Sequence, residues 1–410
     1  MAVAAEVVIV GAGLAGLAAA RRLSAAGVDH LLIDRADRIG GRVATDVVDG
    51  FRLDRGFQVL NTAYPRLADL IDLDRLDLRF FTPAVLVRRA DDTVRLVHPL
   101  RMPFAAPATL LAGVGTLPDR LRLGRLLMRY ALTSPARLLT RAETSAVDEL
   151  RRAGLSTRII DELLRPFLSG VLADPDLETS NHVVAMILRS FARGRIGVPA
   201  AGMADLPRAL AGPLPPDRIR LATDVTAIEP GLVRTRDTDL RCRWIVVATD
   251  PPAAARLIPS VAPVRMRQLT TYYHAAEQPP VAEPILLLDG HRSGPVANTV
   301  VVSQAAPDYA PPGQHLIATS VVGRETPPET VVRAELARLY QTSTTGWCHL
   351  RTVAVVGALP AAVPPRGTLR APAQVSSGIF VAGDHRDSPS IQGALASGWR
   401  VAGAVLRRRS

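Results

Sequence analysis

The sequence predicts an α/β fold that begins with a Rossmann-like dinucleotide-binding domain, and three stretches of the chain carry this prediction. Residues 7–16, VVIVGAGLAG, are an apolar strand, then three glycines and the start of an alanine-rich helix. Residues 30–33 form a second apolar run, which Asp34 follows directly. Residues 378–384, GIFVAGD, form a third near the other end of the chain. Short apolar strands that alternate with helices are typical of a parallel sheet covered by helices.

The spacing of Gly11, Gly13 and Gly16 matches the dinucleotide-binding fingerprint. The first glycine permits a tight turn, the second lets the backbone approach a pyrophosphate, and the third lets the helix pack on the strand. The N-terminus of that helix would offer free N–H groups and a positive dipole end to the phosphates. Asp34, at the end of the second strand, can accept hydrogen bonds from ribose hydroxyls. Together these features predict a dinucleotide ligand.

Two further segments extend the predicted site. Gly40, Gly41 and Arg42 follow Asp34 closely, and an arginine here can pair with phosphate oxygens through two N–H groups. A plain turn with a surface arginine explains that segment equally well. Near the other end, Asp384 ends the third apolar run, and residues 390–398 begin a helix whose N–H groups can face an anionic or carbonyl-rich ring. The alternative is a strand and a helix that only complete the sheet.

In this order, the motifs resemble those of the flavoprotein superfamily of amine oxidases, protoporphyrinogen oxidases and phytoene desaturases. Weaker matches lie between the two ends, at residues 202–210, 224–228, 244–252 and 358–360. The resemblance implies a discontinuous, Rossmann-like FAD-binding domain with an inserted α+β substrate-binding (cap) domain. It does not distinguish between the subfamilies.

We expect the FAD-binding domain to comprise residues 1–75, 200–260 and 366–410, and the cap domain to comprise residues 76–199 and 261–365. Apolar periods near 3.6 residues predict helices at 117–132, 144–153, 156–171, 182–193 and 327–341. Alternating and apolar runs predict strands within 78–97 and at 267–273, 284–288, 299–303, 315–321 and 350–356. Proline-rich breaks at 279–284, 310–312 and 360–365 mark crossings between elements.

The resemblance implies that both ends of the chain contact FAD. The expected cofactor-binding residues are Gly11, Gly13, Leu14, Ala15, Gly16, Asp34, Arg35, Gly40, Gly41, Arg42, Gly56, Phe57, Gln58, Val225, Gly383, Asp384, Gln392, Gly393 and Ala394. Some relatives attach the flavin through a cysteine just before the last helix. Residues 388–391 hold no cysteine, so we expect FAD to be bound non-covalently. The catalytic candidates are weak ones, namely Gln58, Tyr273 and His385, and core packing explains each of them at least as well.

Composition excludes several other classes of protein. The net charge is +11, all 49 basic residues are arginine, and there is no lysine. The charges are scattered and aromatic residues make up only 4%, which disfavours nucleic-acid binding. The eight histidines show no metal-ligand spacing, so no metal site is expected. Two cysteines do not build a disulfide framework, and no apolar run reaches 18 residues, which favours a cytoplasmic protein.

The resemblance also implies an activity, namely hydride transfer from a substrate C–H bond to flavin N5. Many amine oxidases of the superfamily hold a water near N5 with a lysine, which this chain lacks. We therefore expect a desaturase-like dehydrogenase that acts on a largely apolar small molecule. Three alternatives remain open: an amine or amino-acid oxidase with oxygen as acceptor, a non-redox isomerase that uses reduced flavin, and a flavoprotein that binds a partner without turnover.

Residues 99–140 allow two interpretations. Leucines, including Leu110 and Leu111, alternate with arginines, and the segment has an apolar face with a basic rim. The favoured interpretation is an ordinary cap-domain helix whose apolar face is part of the core. The alternative is a peripheral membrane contact that leads a lipophilic substrate inward.

Overall fold

The computed structural model describes residues 5–111 and 113–409, without the side chains of Leu110 and Leu111. The parts of the expected domains and of the segment 99–140 that fall on residues 1–4, 112 and 410 lie outside the described residues, as do those two leucine side chains.

A six-stranded sheet forms the centre of the first domain. Its first five strands are parallel and the sixth is antiparallel, in the order Ile219–Arg220, His30–Ile33, Val7–Val10, Trp244–Val247, Ile379–Val381 and Gln374–Ser376. Every residue of Val7–Val10 is buried, because both faces of the sheet are covered. Val7 and Ile9 pack in one core with helices Leu14–Ala25 and Ile391–Arg409, whereas Val8 and Val10 pack in another.

That second core lies between the six-stranded sheet and a small antiparallel sheet. The small sheet consists of Val225–Glu229, Leu232–Thr235 and Asp239–Arg241. Helix Pro251–Leu257 packs on the same side, and Asp250 caps it by accepting a hydrogen bond from Ala253 N. The first domain is therefore built around a valine-rich strand, which has helices on one side and a small sheet on the other.

A seven-stranded mixed sheet forms the second domain. Its strands are Cys348–Pro360, Met266–Ala276, His315–Val322, Val296–Val301, Leu286–Asp289, Ala84–Arg88 and Thr93–Val97, in spatial order. All neighbours are antiparallel except Leu286–Asp289 and Ala84–Arg88. The remaining sheets are the pair Thr45–Val48 and Phe51–Asp54, and the three strands Leu60–Asn61, Ile196–Pro199 and Leu78–Phe80.

A helical layer covers part of the seven-stranded sheet. Helix Leu117–Leu132 packs on Asn181–Arg193, and Thr116 and Asp119 close its N-terminus with a capping box. The other α-helices are Pro65–Leu70, Ala106–Leu111, Pro135–Leu138, Ala146–Arg152, Thr157–Ile159, Arg165–Leu172, Asp205–Ala211, Val302–Ala305 and Glu329–Tyr340, with a π segment at Ile160–Leu164. Short 3-10 turns lie at Leu73–Leu76, Pro216–Arg218, Pro307–Tyr309 and Asp384–Arg386.

Most expected elements agree with these bounds to within a few residues. The prediction of a strand at 299–303 is wrong at its end. The strand ends at Val301, and Val302–Ala305 form a helix. The helix expected at 156–171 is interrupted by the π segment, which a 3.6-residue apolar period does not reveal. The six-stranded sheet draws its strands from residues 1–75, 200–260 and 366–410, and the seven-stranded sheet from 76–199 and 261–365. The exact domain boundaries stay predictions.

Candidate cofactor and substrate site

Two of the fingerprint glycines are required by close backbone packing. A Cβ atom on Gly16 would lie 1.8 Å from Gly11 O, so no side chain fits where the helix crosses the first strand. Gly11 has a φ of +108°, and a Cβ there would lie 2.7 Å from Ala248 O. These contacts bring the helix N-terminus directly to the carboxyl end of the strand.

Gly13 has a different role. Its backbone is extended, with a φ of −73° that any residue adopts, and a Cβ there would meet no atom within 4 Å. The helix that begins at Leu14 has no side-chain cap and no acidic residue in its first turn. Its first N–H groups therefore face open space beside Gly13, which is an arrangement suited to an anionic ligand.

Gly11, Gly13 and the N-terminus of helix Leu14–Ala25 form a pocket that we call the cradle, and Asp34 and Gly40 complete its walls. Asp34 accepts hydrogen bonds from Ala12 N at 2.6 Å and from Ala36 N at 2.8 Å. A carboxylate oxygen can accept more than one hydrogen bond, so Asp34 retains capacity for a ribose hydroxyl. Gly40 N donates to Ala12 O at 2.9 Å, and this contact holds the Gly40–Gly41 turn against the first glycine loop.

An ion pair joins the two ends of the chain at this cradle. Arg42 Nη2 lies 2.6 Å from Asp384 Oδ1, and Arg42 Nη1 donates to Ala358 O at 2.8 Å. Burial lowers the pKa of Arg42, but the Asp384 carboxylate outweighs burial and the net pKa is raised. Two of the five guanidinium N–H groups are thus engaged within the protein, and the others remain available to a ligand.

A buried carboxyl group supports the loop beside Arg42. Asp54 accepts hydrogen bonds from Thr45 Oγ1, Met203 N and Tyr309 Oη, and Tyr273 Oη donates to Asp54 O at 2.7 Å. Burial raises the pKa of Asp54 to about 6, although its hydrogen bonds act in the opposite direction. This cluster fixes the end of strand Phe51–Asp54, from which the segment 55–58 projects.

The segment 55–58 borders the cradle and points its last side chain inward. Gln58 Nε2 donates to Arg42 O at 3.0 Å and to Arg55 O at 3.2 Å. These two carbonyls fix the orientation of the amide, so Gln58 Oε1 is buried without a partner among the residues that the structure describes. Phe57 N donates to Thr271 Oγ1 and ties the segment to the seven-stranded sheet.

One cavity of about 1410 Å³ runs from the cradle into the second domain. This volume exceeds the roughly 1,000 Å³ upper range of ordinary small-molecule sites, so the cavity has room for two ligands. Beyond segment 55–58 it widens into what we call the chamber. The chamber walls are mostly aliphatic and aromatic, and include Phe81, Val85, Leu96, Leu123, Leu127, Leu163, Phe167, Val171, Ile187, Phe191 and Val300.

The structure places sixteen of the nineteen expected cofactor-binding residues in the wall of this cavity. The other three are Gly16, Gln392 and Gly393. Gly16 packs against Gly11, and a Cβ on Gly393 would lie 1.8 Å from Ser388 O. Gln392 Oε1 accepts a hydrogen bond from Arg66 N on the far side of the last helix. Lining the cavity is all that the structure shows for the sixteen, so the contacts of all nineteen residues with a cofactor stay predictions.

Of the three catalytic candidates, only Gln58 lines the cavity. Tyr273 is buried behind segment 55–58, where its hydroxyl is bonded to Asp54. His385 is buried beside Asp384, and burial lowers its pKa to about 4, so its ring is neutral at pH 7. Neither Tyr273 nor His385 lines the cavity, and a catalytic role for either stays a prediction.

The structure also brings residues to the chamber that the sequence did not reveal. Asn298 and Ser320 lie opposite each other on neighbouring strands, and both line the chamber. No hydrogen bond engages the Asn298 carboxamide within the described part of the chain, and a Cβ on Gly170 would lie 2.1 Å from its Nδ2. Tyr64 also lines the cavity, and burial raises its pKa to about 12, which keeps its hydroxyl protonated. The strands carrying Asn298 and Ser320 are buried along most of their length, so their sequence gives no sign of which face is open.

Residues 14–406 match the model of the family described as flavin containing amine oxidoreductases. The chain belongs to this family. It is 30% identical to phytoene dehydrogenase of Streptomyces griseus over 62% of this chain and 56% of that protein. It is 26% identical to protoporphyrinogen oxidase 2 of Arabidopsis thaliana over 43% of this chain and 34% of that protein. The matches thus span about half, or less, of these curated relatives.

The fold agrees with that of solved oxidoreductases. The structure of an oxidoreductase from Methanosarcina mazei superimposes with a TM-score of 0.73 and 19% identity, over 98% of this chain and 99% of that one. The expected fold class, a Rossmann-like domain with an inserted cap, is confirmed. A flavin is the family's cofactor, and the uncapped helix N-terminus, the open space at Gly13 and the unpartnered Gln58 Oε1 all fit such a group.

Proposed function

We propose that this protein is an FAD-dependent oxidoreductase that binds FAD non-covalently and dehydrogenates a largely apolar small molecule. The observation that carries the proposal is the continuity of the cavity, which joins an anion-binding cradle to an apolar chamber. When bound, the flavin would supply a hydride acceptor at its N5 atom. The substrate C–H bond would therefore have to lie where the chamber meets segment 55–58.

The residues of the cradle suit FAD in particular. The N-terminus of helix Leu14–Ala25 would bind the pyrophosphate, and Asp34 would bind the adenosine ribose. Val225 lines the cavity beyond Asp34, where an adenine would lie. Neither cysteine lines the cavity: Cys242 is buried in the core beneath the first sheet, and Cys348 is exposed. This supports non-covalent binding, because no thiol is within reach of the cofactor.

The chamber supports dehydrogenation of an apolar molecule in two ways. Its aliphatic and aromatic walls favour transfer of apolar surface out of water. They also exclude water from the reacting atoms, which protects reduced intermediates from side reactions. Gln58 and Arg42 are held from behind by carbonyl and carboxylate partners, so both present fixed polar groups at the border of the chamber.

An amine substrate fits the charge of this chamber less well. The acidic side chains in the cavity wall, Asp34, Asp224, Asp250 and Asp384, all belong to the cradle end. On the other side of segment 55–58 the cavity wall includes Arg101 and Arg195, and none of the described acidic residues lines it there. A protonated amine would therefore meet like charge from these two guanidinium groups. Amine or amino-acid oxidation remains the alternative that an experiment must exclude.

Anaerobic reduction of the bound flavin tests the proposal. The FAD-loaded protein is mixed without oxygen with three panels of compounds: polyenes and other apolar lipids, tetrapyrroles, and primary and secondary amines. We expect loss of the oxidised flavin absorbance with an apolar compound or a tetrapyrrole, and a product lighter by two hydrogen atoms. Reduction by amines alone would contradict the proposal. A product of unchanged mass from pre-reduced protein would instead indicate isomerisation.

A further inference from the structure

The mouth of the chamber carries an unusual concentration of exposed apolar side chains. Ten large apolar side chains are well exposed among the described residues, and six of them lie between positions 100 and 132. These six are Leu100, Phe104, Leu117, Leu121, Met128 and Leu132, and we call them the apolar rim. Phe104 is fully exposed, and Leu132 is 75% exposed. Single exposed apolar residues are ordinary, but a cluster of this kind marks an interaction surface.

Four of the six residues of the apolar rim lie on one side of helix Leu117–Leu132. At about 100° per residue, positions 117, 121, 128 and 132 fall within about 60° of one another, along one stripe of the helix. Leu126 and Tyr130 lie on the opposite side, buried in the core. The helix thus has two apolar stripes, one packed in the core and one exposed to solvent. The favoured interpretation of residues 99–140, a cap-domain helix with its apolar face in the core, holds for the side of Leu126 and Tyr130, and the membrane interpretation concerns the other side of the same helix and stays a prediction.

Three of the six residues of the apolar rim also line the cavity. Leu100, Leu121 and Met128 belong both to the apolar rim and to the cavity wall. A compound that leaves the chamber between them would pass directly onto the exposed apolar surface. The apolar rim is therefore continuous with the wall of the chamber at these three residues.

The exposed charges within residues 99–132 are all positive, and one of them, Arg129, is paired with Glu149. Residues 99–132 contain five arginines and a single acidic residue, Asp119. Asp119 is buried, and its carboxylate is engaged by Thr116 and Ser156. Arg122 and Arg125 are exposed on one flank of the helix, with Arg125 beside the apolar rim and Arg122 further round, where its side chain lies against Gly154. The described residues provide neither guanidinium with an ion pair or a hydrogen bond. The surface thus combines an apolar stripe with unpaired guanidinium groups.

We propose that the apolar rim docks on an anionic lipid surface, with Arg122 and Arg125 at the level of the lipid phosphates. Apolar insertion and attraction of basic groups to anionic headgroups are the two terms that bind interfacial helices. No helix in the described ranges is long and apolar enough to cross a membrane, so the contact would be peripheral. Docking would place the chamber mouth against the lipid, and it does not depend on the identity of the reaction.

Vesicle flotation tests this proposal on the full chain. We expect the wild-type protein to float with vesicles of phosphatidylcholine and phosphatidylglycerol and to float poorly with phosphatidylcholine alone. The double variant Phe104→Ser/Leu132→Ser should partition on the order of tenfold more weakly, because two apolar side chains no longer insert. Neither residue lines the cavity, so flavin content should stay at the wild-type level. The variant Arg122→Gln/Arg125→Gln should lose about fivefold per arginine at low ionic strength.

A matched control separates this surface from exposed apolar residues in general. Val47 and Val356 are each 70% exposed and lie outside the rim, so Val47→Ser/Val356→Ser should float as the wild type does. Failure of the wild type to float with anionic vesicles overturns the proposal, as does undiminished flotation of Phe104→Ser/Leu132→Ser. If the wild type instead forms a dimer in solution that this variant abolishes, and does not float, the rim is an interface between two copies of the chain.

Discussion

The cradle and the chamber lie in one cavity but are built in different ways. The cradle is made largely of backbone: glycines that permit close packing, uncapped N–H groups, and one ion pair between distant parts of the chain. The chamber is made of side chains from helices and strands of the second domain, and hydrogen bonds are few on its apolar walls. A backbone site tolerates few sequences and binds one ligand class. A side-chain site is free to vary, so the cradle indicates the cofactor and the chamber must determine the substrate.

Substitution of Gly13 should have the largest effect, and it tests flavin binding in the cradle independently of folding. Gly13→Val places a side chain in open space, with a backbone φ that valine adopts readily. We therefore expect a folded protein with no bound flavin, measured by circular dichroism and by the flavin-to-protein ratio. Gly346 is also a glycine with free space at its Cβ, outside the cavity, so Gly346→Val should retain full flavin content. Full occupancy in Gly13→Val would show that the cradle is misplaced.

The buried carboxyl group at the junction of the two regions predicts a pH dependence of stability. Burial raises the pKa of Asp54 to about 6, above its value near 3.8 in an unfolded chain. The folded protein holds this proton more tightly, so the stabilising contribution is complete below pH 4 and is lost as the pH rises through 6. Asp54→Asn should remove this slope and, above pH 6, raise the free energy of unfolding by up to about 3 kcal/mol.

Chemical denaturation between pH 4 and 7 measures that slope. Asp69 is an exposed carboxylate on helix Pro65–Leu70, and Asp69→Asn should leave the Asp54-dependent slope as it is in the wild type. If Asp54→Asn retains the wild-type slope, another group titrates in this range and the assignment to Asp54 fails.

Loss of the Arg42–Asp384 pair should have a smaller effect, confined to the cradle. Asp384→Asn leaves the Arg42 guanidinium partly buried without its carboxylate. We expect the free energy of unfolding of the flavin-free protein to fall by about 2 kcal/mol, less than for a fully buried pair because the Arg42 side chain is 33% exposed. Removal of the exposed Arg66–Asp69 pair by Asp69→Asn should change the free energy of unfolding by less than about 0.5 kcal/mol.

A double-mutant cycle distinguishes the ion pair from other effects of the substitution. Arg42→Gln/Asp384→Asn should lose less stability than the sum of the two single variants, because neither charge is then left alone. Strict additivity would mean that the two side chains do not interact in solution.

The smallest expected effect concerns substrate recognition in the chamber. Asn298→Leu removes a carboxamide that is not hydrogen-bonded within the described residues. Should the substrate carry a polar group, KM should rise about fivefold with flavin content unchanged, the cost of one lost hydrogen bond. Gly170→Ala should act in the same direction, because its methyl group would displace Asn298 Nδ2. An unchanged KM in both variants would indicate a purely apolar substrate.

The difference between the two regions also explains how far the sequence allowed prediction. Gly11, Gly13 and Asp34 have fixed spacing because backbone geometry requires it, and sixteen of the nineteen expected residues line the cavity. Gln392 was placed by its neighbours in the motif, but the rotation of the last helix directs its side chain to Arg66. Asn298 could not be found, because its strand is buried along most of its length and lacks an alternating pattern. The chamber results from tertiary packing, which single-sequence patterns do not encode.

The apolar character of helix Leu117–Leu132 illustrates the same limit. Its sequence predicts an amphipathic helix, and the buried positions Leu126 and Tyr130 agree with this. The solvent-facing stripe at Leu121 and Leu132 is separated from the buried one by arginines, which a single apolar period does not resolve. Only the packing partners decide which leucines are core and which belong to the rim.

The central claim is that the cradle and the chamber form one continuous site, and the absorption spectrum of bound flavin tests it most directly. A saturated, unreactive hydrocarbon is titrated into FAD-loaded wild type and into Val171→Trp, which fills the chamber wall without touching the cradle. We expect a saturable change in the flavin spectrum of the wild type and at least a tenfold weaker response in Val171→Trp. Binding of the hydrocarbon without any change in the flavin spectrum, or an equal response from both proteins, would contradict a shared cavity.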